Sequence, residues 1–271
     1  MIEINNLNFS YVRSKKMFNE VNLTFDSGHI YGVLGKNGTG KTTLLNLISG
    51  LLFPDQGKLV VYGCTPAKRQ PRFLSDLYYV TEEFYMPNLK PHEWAKLYAY
   101  CYPCFSSEDY KAYLEAFEID LSIKADKMSM GQRKKVYLAF ALACNTRLLL
   151  LDEPTNGLDI PSSVKLRSLL AGLANEERCI IISTHHVRDI EHLIDHLVIL
   201  DNSTVLLDTS VGTLSQKYDF IPFTGKEPPM SAVYYESNLL GGKAMIPNCG
   251  SSSRIDMELL FNAVIHNKIE Q

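Results

Sequence analysis

The segment Gly35-Lys36-Asn37-Gly38-Thr39-Gly40-Lys41-Thr42 decides the fold of this chain. An apolar run, Ile30–Leu34, precedes it, and a helical pattern over residues 43–48 follows it. Glycines let the backbone fold back so that several N–H groups point into one concavity, and the next helix directs the positive end of its dipole there. The spacing fits G-x-x-x-x-G-K-[ST], so the segment predicts a strand, a polyphosphate-binding loop and a helix.

The side chains of this phosphate loop (residues 35–42) predict individual contacts with a bound nucleotide. Lys41 would reach the β- and γ-phosphates, the Thr42 hydroxyl would be a ligand of Mg²⁺, and Thr43 would add a contact to the α-phosphate. The other positions that we assign to the phosphate cradle are Gly35, Asn37, Gly38 and Gly40.

Composition is typical of a globular protein that works in the cytosol. The 271 residues fit one large domain with an appendage, and 46% of them are hydrophobic. Lys and Arg number 27 against 30 Asp and Glu, and this net charge of −3 disfavours a nucleic-acid partner. The longest apolar stretch, residues 136–144, has nine residues, whereas about 20 are needed to span a bilayer. The first residues alternate like a strand without a signal-peptide pattern, so we expect a cytosolic protein.

Hydrophobic periodicity predicts an α/β fold with a P-loop core and a parallel-rich sheet. Up to about residue 80 the pattern predicts an antiparallel β part, interrupted by one helix after the phosphate loop. Residues 88–128 have helical spacing and predict an inserted helical subdomain. Its apolar positions include Trp94, Leu97 and Tyr98. The apolar runs at 148–151 and 179–183, separated by a helical stretch, are typical of buried parallel strands.

After residue 218 the pattern is looser and predicts a small C-terminal extension. Three features are expected before the last helix, namely a strand at residues 232–235, a turn at Gly241-Gly242 and a small-residue loop at 249–253. An amphipathic helix over residues 257–266, with Asp256 as its N-cap, would close the chain.

Two consecutive carboxylates follow a run of four leucines. Asp152 and Glu153 lie at the carboxyl end of this strand, where open α/β sheets bind ligands. Asp152 would hold Mg²⁺, directly or through water, and Glu153 would polarise a water molecule for in-line attack on the γ-phosphate. Taken alone, the pair fits a simple turn equally well. The phosphate loop upstream favours the catalytic interpretation.

Together these segments resemble the ATPase subunits of ATP-binding-cassette (ABC) transporters, of the exporter type with a single cassette. Besides the phosphate loop, the resemblance rests on Met128-Ser129-Met130-Gly131-Gln132, residues 148–159 and Ser183-Thr184-His185. The Ser-x-Gly-Gln element, 23 positions before Asp152, makes the set specific. The resemblance implies a nucleotide-binding domain over residues 1–218, with a helical subdomain at about 88–128, and an accessory extension over residues 219–271.

The resemblance implies that part of the nucleotide site is shared between two subunits. Ser129, Gly131 and Gln132 match the signature motif, which in the family completes the site of the opposite subunit. Asp159 matches the loop that joins the two sites across the dimer. Taken alone, Ser129 would be a helix N-cap and Asp159 an ordinary turn residue.

Two further matches concern the γ-phosphate and the base. His185 matches the switch histidine that senses the γ-phosphate, although a lone histidine at the end of a buried strand would more often be structural. Tyr11, 24 positions before Gly35, matches the aromatic residue that stacks on adenine. On its own, a tyrosine after a strand would be packing surface.

This chain departs from the family pattern at two places. Met128 and Met130 replace the usual leucine and first glycine of the signature motif. Glu82 stands where the family usually has a glutamine between the core and the helical subdomain. A carboxylate there would still bind Mg²⁺ or hold water, so we keep Glu82 as a nucleotide-site and metal-site residue.

The resemblance implies a peripheral subunit on the cytoplasmic face of the membrane. It would bind ATP and Mg²⁺ as a homodimer or as a heterodimer with another ABC subunit, and would drive a separate transmembrane permease, with export favoured. Phe84-Tyr85-Met86-Pro87 would belong to the groove that receives this partner. The alternative is a stand-alone ABC-type mechanical ATPase acting on a soluble macromolecule. Such proteins usually have two cassettes or a long coiled-coil insertion, and neither pattern is visible in the sequence.

Overall fold

The structure is a computed structural model that describes residues 1–12, 15–225, 227–238, 240–250 and 253–269. Its strands are β1 (Ile2–Val12), β2 (Lys15–Phe25), β3 (Ile30–Leu34), β4 (Gln56–Val61), β5 (Leu77–Val80), β6 (Leu148–Asp152), β7 (Cys179–Thr184), β8 (His196–Asp201), β9 (Thr204–Ser210), β10 (Tyr218–Thr224), β11 (Tyr234–Ser237) and β12 (Gly241–Pro247). Its α-helices are α1 (Lys41–Ile48), α2 (Pro71–Ser75), α3 (Pro91–Tyr98), α4 (Ser107–Ala116), α5 (Met130–Ala143), α6 (Ile160–Leu173), α7 (Val211–Lys217) and α8 (Met257–Ile265). The predicted α/β fold class is confirmed.

The central sheet brings the predicted site segments to one edge. It has six strands in the order β5-β6-β7-β3-β8-β9, and the neighbours are parallel except for β8 and β9. In the register of the inner strands, Asp152 pairs with Ser183, and Leu34 pairs with Thr184. The carboxyl ends of β3, β6 and β7 are therefore level. Because ligands bind at this edge of a parallel sheet, the phosphate loop, Glu153 and His185 leave the sheet beside one another.

A separate antiparallel sheet, in the order β2-β1-β4, confirms the predicted N-terminal β part. Helix α1 contributes Leu44, Leu45 and Leu47 to an apolar core that also contains residues of both sheets. The expectation of a single helix before residue 80 is wrong, because α2 also lies in this region. Five residues are too few for helical periodicity to show in the sequence.

Helix α3 and the segment before α4 pack around Phe140 of α5. The Phe140 ring centroid lies 4.6 Å from that of Trp94 and 5.1 Å from that of Phe105. Such aromatic pairs stabilise beyond the area they bury. Leu97 and Tyr98, predicted on the apolar face of α3, are 52% and 42% exposed. Helix α3 is only two turns long and packs through the face of Trp94, so the apolar spacing continues beyond the part that is buried.

The C-terminal region contains an antiparallel sheet in the order β10-β12-β11. The turn predicted at Gly241-Gly242 is wrong, because these residues begin the central strand β12. A Cβ atom at Gly242 would lie 2.1 Å from the carbonyl oxygen of Glu236, so close pairing with the neighbouring strand requires a glycine there. The strand predicted at residues 232–235 lies slightly later in the chain, as β11.

The last helix is confirmed as α8. Asp256 caps it, since its Oδ1 accepts the Leu259 N–H at 3.0 Å. Leu259 and Leu260 are buried in the same apolar core as the central sheet. Two residues of the predicted small-residue loop, Ser251 and Ser252, lie outside the described residues. Among the helices that the structure describes, none has both the length and the apolar character needed to cross a bilayer.

Candidate active site

A cavity of about 300 Å³ opens at the carboxyl edge of the central sheet. Its lining residues are Met17, Asn37, Gly38, Gly40, Lys41, Thr42, Thr43, Glu82, Glu153 and His185. All of these except Met17 were predicted from the sequence as site residues. The level ends of three parallel strands therefore bring residues from distant parts of the chain to one cavity.

The backbone of the phosphate loop depends on its glycines. Gly40 has φ +108°, a conformation that residues with a Cβ atom seldom adopt, and an added Cβ would lie 2.8 Å from Phe18 Cζ. At Gly35 an added Cβ would lie 2.7 Å from the carbonyl oxygen of Leu200 on β8. The loop thus passes too close to the neighbouring strands for any side chain at these two positions.

Lys41 supplies a cation to the cavity. Its side chain is buried, and Nζ donates to the carbonyl oxygens of Gly35 at 2.8 Å and Lys36 at 3.3 Å. Oε1 of Glu153 lies 3.7 Å from Nζ. Burial lowers the pKa of Lys41, and the negative charge of Glu153 opposes that shift. The Lys36 side chain is exposed, so Lys41 is the lysine of this loop that reaches into the cavity.

Thr42 and Asp152 form the predicted metal-binding pair. The Thr42 hydroxyl donates to Asp152 Oδ2 at 2.7 Å, and the Ser183 hydroxyl donates to the other carboxylate oxygen. Burial raises the pKa of Asp152, and the hydrogen bonds from Ser183 and Thr42 oppose the rise. The two oxygen groups predicted as metal ligands are therefore in direct contact, although they come from α1 and β6.

The groups around Asp152 fit Mg²⁺, which prefers oxygen ligands and usually keeps several water molecules. The Tyr79 hydroxyl is buried and has no hydrogen-bond partner among the described residues. Burial raises the pKa of Tyr79, and the negative charge of Asp152 raises it further. Buried hydroxyls are normally paired with protein or with ordered water. A hydrated cation held by Asp152 would supply such water.

Glu153 is held by several contacts. Its φ of +44° is uncommon for a residue with a side chain. The carboxylate accepts the Thr184 hydroxyl at 2.9 Å and the His185 backbone N–H at 3.1 Å. His185 Nδ1 lies 2.7 Å from Oε1, and this nitrogen carries the hydrogen because a carboxylate only accepts. Three donors therefore orient the Glu153 carboxylate beside the cavity.

Glu82 and Tyr11 lie beside the same loop. Glu82 lines the cavity, and its Oε1 accepts a hydrogen bond from Asn156 Nδ2 at 2.9 Å. The Tyr11 side chain is 58% exposed, and its hydroxyl lies 3.0 Å from Thr43 Oγ1. An exposed ring that is anchored through its hydroxyl next to a phosphate loop can stack on a base.

Three of the predicted residues outside the cavity lining, Tyr11, Gly35 and Asp152, bond to residues that line it. The other four lie around the start of α5. Ser129 caps α5 by accepting the Gln132 N–H at 3.2 Å, and Gln132 Oε1 accepts the Ser129 N–H at 2.8 Å. Asp159 caps α6 and pairs with Lys135 of α5 at 3.3 Å. An added Cβ at Gly131 would lie 2.9 Å from the Gly157 carbonyl oxygen. These residues form a second surface around the start of α5, and they do not line the cavity of their own chain.

Several residues that support the site were not predicted from the sequence. Thr184 is adjacent to the predicted His185, and a hydroxyl residue at that position was the one sequence feature that could have indicated its role. The other four residues reach the site through tertiary contacts, which the local sequence does not predict. They are Met17, Tyr79, Lys134 and Asn156.

Comparison with known proteins agrees with this geometry. The sequence profile of the ABC transporter family matches residues 18–156. The ABC transporter ATP-binding protein YtrB of Bacillus subtilis is 28% identical over 221 residues, which cover 80% of this chain and 75% of YtrB. The bacitracin transport ATP-binding protein BcrA of Bacillus licheniformis is 33% identical over 198 residues, which cover 71% of this chain and 64% of BcrA.

The fold is also similar to that of a solved cassette. The dimeric structure of a post-hydrolysis state of the ATP-binding cassette MJ0796, bound to ADP and Pi, matches with a TM-score of 0.69 and 24% identity. The match covers 78% of this chain and 99% of that chain. This likeness concerns the fold, while the profile match spans the phosphate loop, Asp152 and Glu153. The chain therefore belongs to the ABC transporter family, as an ATP-binding subunit with an ATPase domain.

Proposed function

We propose that this subunit binds MgATP in the cavity around Lys41 and hydrolyses it with Glu153 as the general base. The observation that carries the proposal is the position of Glu153. Thr184 and His185 hold its carboxylate, which lies 3.7 Å from the Lys41 ammonium. A carboxylate oriented beside a phosphate-binding cation is placed to take a proton from the water that attacks the γ-phosphate.

The other cavity residues would bind and orient the nucleotide. Lys41 and the loop N–H groups would hold the β- and γ-phosphates, with Thr43 at the α-phosphate and Tyr11 on the adenine. The residues that would hold Mg²⁺ are Thr42, Asp152 and Glu82. When bound, Mg²⁺ neutralises charge on the phosphates. His185 would keep the Glu153 carboxylate in place by donating its Nδ1–H to Oε1.

We further propose that two cassettes share each nucleotide. Ser129, Gly131 and Gln132 are separate from the cavity of their own chain, and Ser129 presents a polar group at the N-terminus of α5, where an anion is favoured. A two-fold contact that sets this surface on the partner's phosphate loop would give two equivalent sites. The structure of MJ0796 bound to ADP and Pi is described as dimeric, which supports the same arrangement here.

We also propose a division into domains and a membrane partner, both of which follow from membership of the ABC transporter family. Residues 1–218 would be the nucleotide-binding domain, with the helical subdomain at about 88–128 and the accessory extension at 219–271. Tyr85 is 87% exposed beside Phe84, which stacks on Tyr137 at 4.7 Å. Such an exposed ring on an anchored segment suits a contact with a permease, at the cytoplasmic face of the membrane.

Export is the direction that we propose, because the C-terminal extension with its helix α8 resembles that of exporter-type subunits with a single cassette. The proposal of a permease partner would be supported by an adjacent gene whose product has several apolar segments of about 20 residues, each long enough to span a bilayer.

The shared site predicts an ATP-dependent dimer. In a Glu153→Gln background, where hydrolysis is blocked, saturating MgATP should convert the monomer to a dimer. Adding Ser129→Arg should abolish this dimer, because bulk and an extra cation would stand where a hydroxyl meets the partner's nucleotide. Light scattering with and without MgATP measures the change in mass, and calorimetry should show that the monomer still binds ATP.

The matched control is Ser215→Arg in the same background. Ser215 is an exposed serine in α7, and its hydroxyl donates to the Gly212 carbonyl oxygen of the same helix at 2.8 Å. This variant should dimerise normally. A dimer that persists with Ser129→Arg, or a monomer throughout at saturating MgATP, would contradict the shared site.

A further inference from the structure

Lys134 is a buried lysine of α5 that does not line the cavity. Its side chain is only 3% exposed, and Nζ donates to the backbone carbonyl oxygen of Glu153 at 3.0 Å. Burial lowers the pKa of Lys134, and the charges of Glu82, Asp152 and Glu153 oppose that shift. Removing an ammonium group from water costs free energy that only close partners offset. The Glu153 carbonyl, which accepts from Nζ, and the nearby negative charges of Glu82, Asp152 and Glu153 offset this cost.

The contact completes the set that holds Glu153. The Glu153 N–H donates to the Ser183 carbonyl oxygen at 3.0 Å, and the carboxylate is held by Thr184 and His185. The carbonyl oxygen is the remaining polar group, and it accepts from Lys134 Nζ at 3.0 Å and from the Asn156 N–H at 3.2 Å. The backbone at Glu153 has the uncommon φ of +44°. Any rotation toward a commoner conformation would move the carbonyl and the side chain together, so a held carbonyl also holds the carboxylate.

The position of Lys134 in α5 also connects the Glu153 carbonyl to the start of that helix. Helix α5 begins at Met130, and Ser129 is its N-cap. Lys134 therefore lies about one turn from the signature residues. A displacement of the start of α5 would be transmitted to the Glu153 carbonyl through one side chain.

We propose that Lys134 is a positioning residue for Glu153, and that it links the signature surface of its own chain to the catalytic carboxylate. The proposal rests on the proposed role of Glu153 as the general base. Lys134 itself touches neither nucleotide nor metal in this assignment. Its effect should therefore fall on turnover rather than on ATP binding.

The test compares variants at position 134 by steady-state hydrolysis and by ATP calorimetry. Lys134→Met keeps the length of the side chain and removes both the charge and the donor. We expect kcat to fall about tenfold or more, as for a displaced catalytic group, with KM and the ATP Kd within about threefold of wild type. Lys134→Arg, which keeps a charged donor, should restore most of kcat. A Lys134→Met enzyme with wild-type kcat, or one that loses ATP affinity as much as turnover, would overturn the proposal.

A double-mutant comparison separates positioning from a general structural role. If Lys134 acts through Glu153, adding Lys134→Met to Glu153→Gln should change the residual rate less than about twofold, because residues that act as a unit are not additive. An equal loss in both backgrounds would contradict the proposal. The control is Lys111→Met on α4, whose side chain is 70% exposed and which should leave kcat unchanged.

Two further measurements keep the outcome decisive. Thermal unfolding and ATP binding report whether Lys134→Met is folded, and Lys134→Leu, which also removes the charge and the donor, is the second variant if it is not. A wild-type protein without ATPase activity, or a Glu153→Gln variant that remains active, would defeat the proposed function itself. The expected loss with Glu153→Gln together with normal turnover in a folded Lys134→Met or Lys134→Leu variant would defeat only the role of Lys134.

Discussion

Glu153→Gln should slow ATP hydrolysis by about 10²-fold or more, the usual contribution of a positioned general base. The amide has nearly the same shape as the carboxylate but cannot take a proton from water. MgATP affinity should stay within a few-fold of wild type, because Lys41 and the phosphate loop are unchanged. Phosphate release at saturating MgATP measures the first quantity, and titration calorimetry measures the second.

The control for this experiment is Glu115→Gln on α4, which removes a carboxylate from an exposed ion pair with Lys111. Exposed pairs of this kind contribute little, so neither turnover nor affinity should change. Turnover of Glu153→Gln within a few-fold of wild type would contradict the assignment of the general base. The Asp152 carboxylate would then be the remaining candidate at the end of β6.

Lys41→Ala should weaken ATP binding by about 10²-fold or more, since truncating one partner of a buried charge pair commonly costs 2–5 kcal/mol. In this chain the Lys41 ammonium is buried and lies among the Gly35 carbonyl, the Lys36 carbonyl and the Glu153 carboxylate. Its removal takes away the cation that faces the β- and γ-phosphates. Calorimetry with ATP, in the presence of Mg²⁺, measures the loss directly.

Lys36→Ala is the matched control, because Lys36 belongs to the same loop and its side chain is exposed. Its carbonyl oxygen, which accepts from Lys41, is unaffected by the substitution. ATP affinity should therefore change by less than about threefold, as expected for a solvent-screened charge. An unchanged affinity in Lys41→Ala, or an equal loss in both variants, would contradict the selective role of Lys41.

Local sequence determined the parts of this protein that depend on short-range chemistry. The phosphate loop is one example, because glycine spacing, a lysine and a threonine act within eight consecutive positions. Helix caps are another, since the side chain of Asp256 bonds an N–H three residues later in the chain. The buried strand that ends at Asp152 was equally visible, because a continuous apolar run before two carboxylates is a local pattern.

Tertiary structure decided whatever depends on contacts between distant segments. Gly241-Gly242 has the composition of a turn, and only the approach of Glu236 from the neighbouring strand shows why glycine stands inside a strand. Leu97 has helical spacing, yet α3 turns that face toward solvent. Lys134 carries no local signal at all, because its importance comes from a carbonyl 19 positions away on another element. The same local pattern allows several arrangements, and side-chain burial together with the register between distant strands selects one of them. Both depend on contacts that exist only in the folded chain.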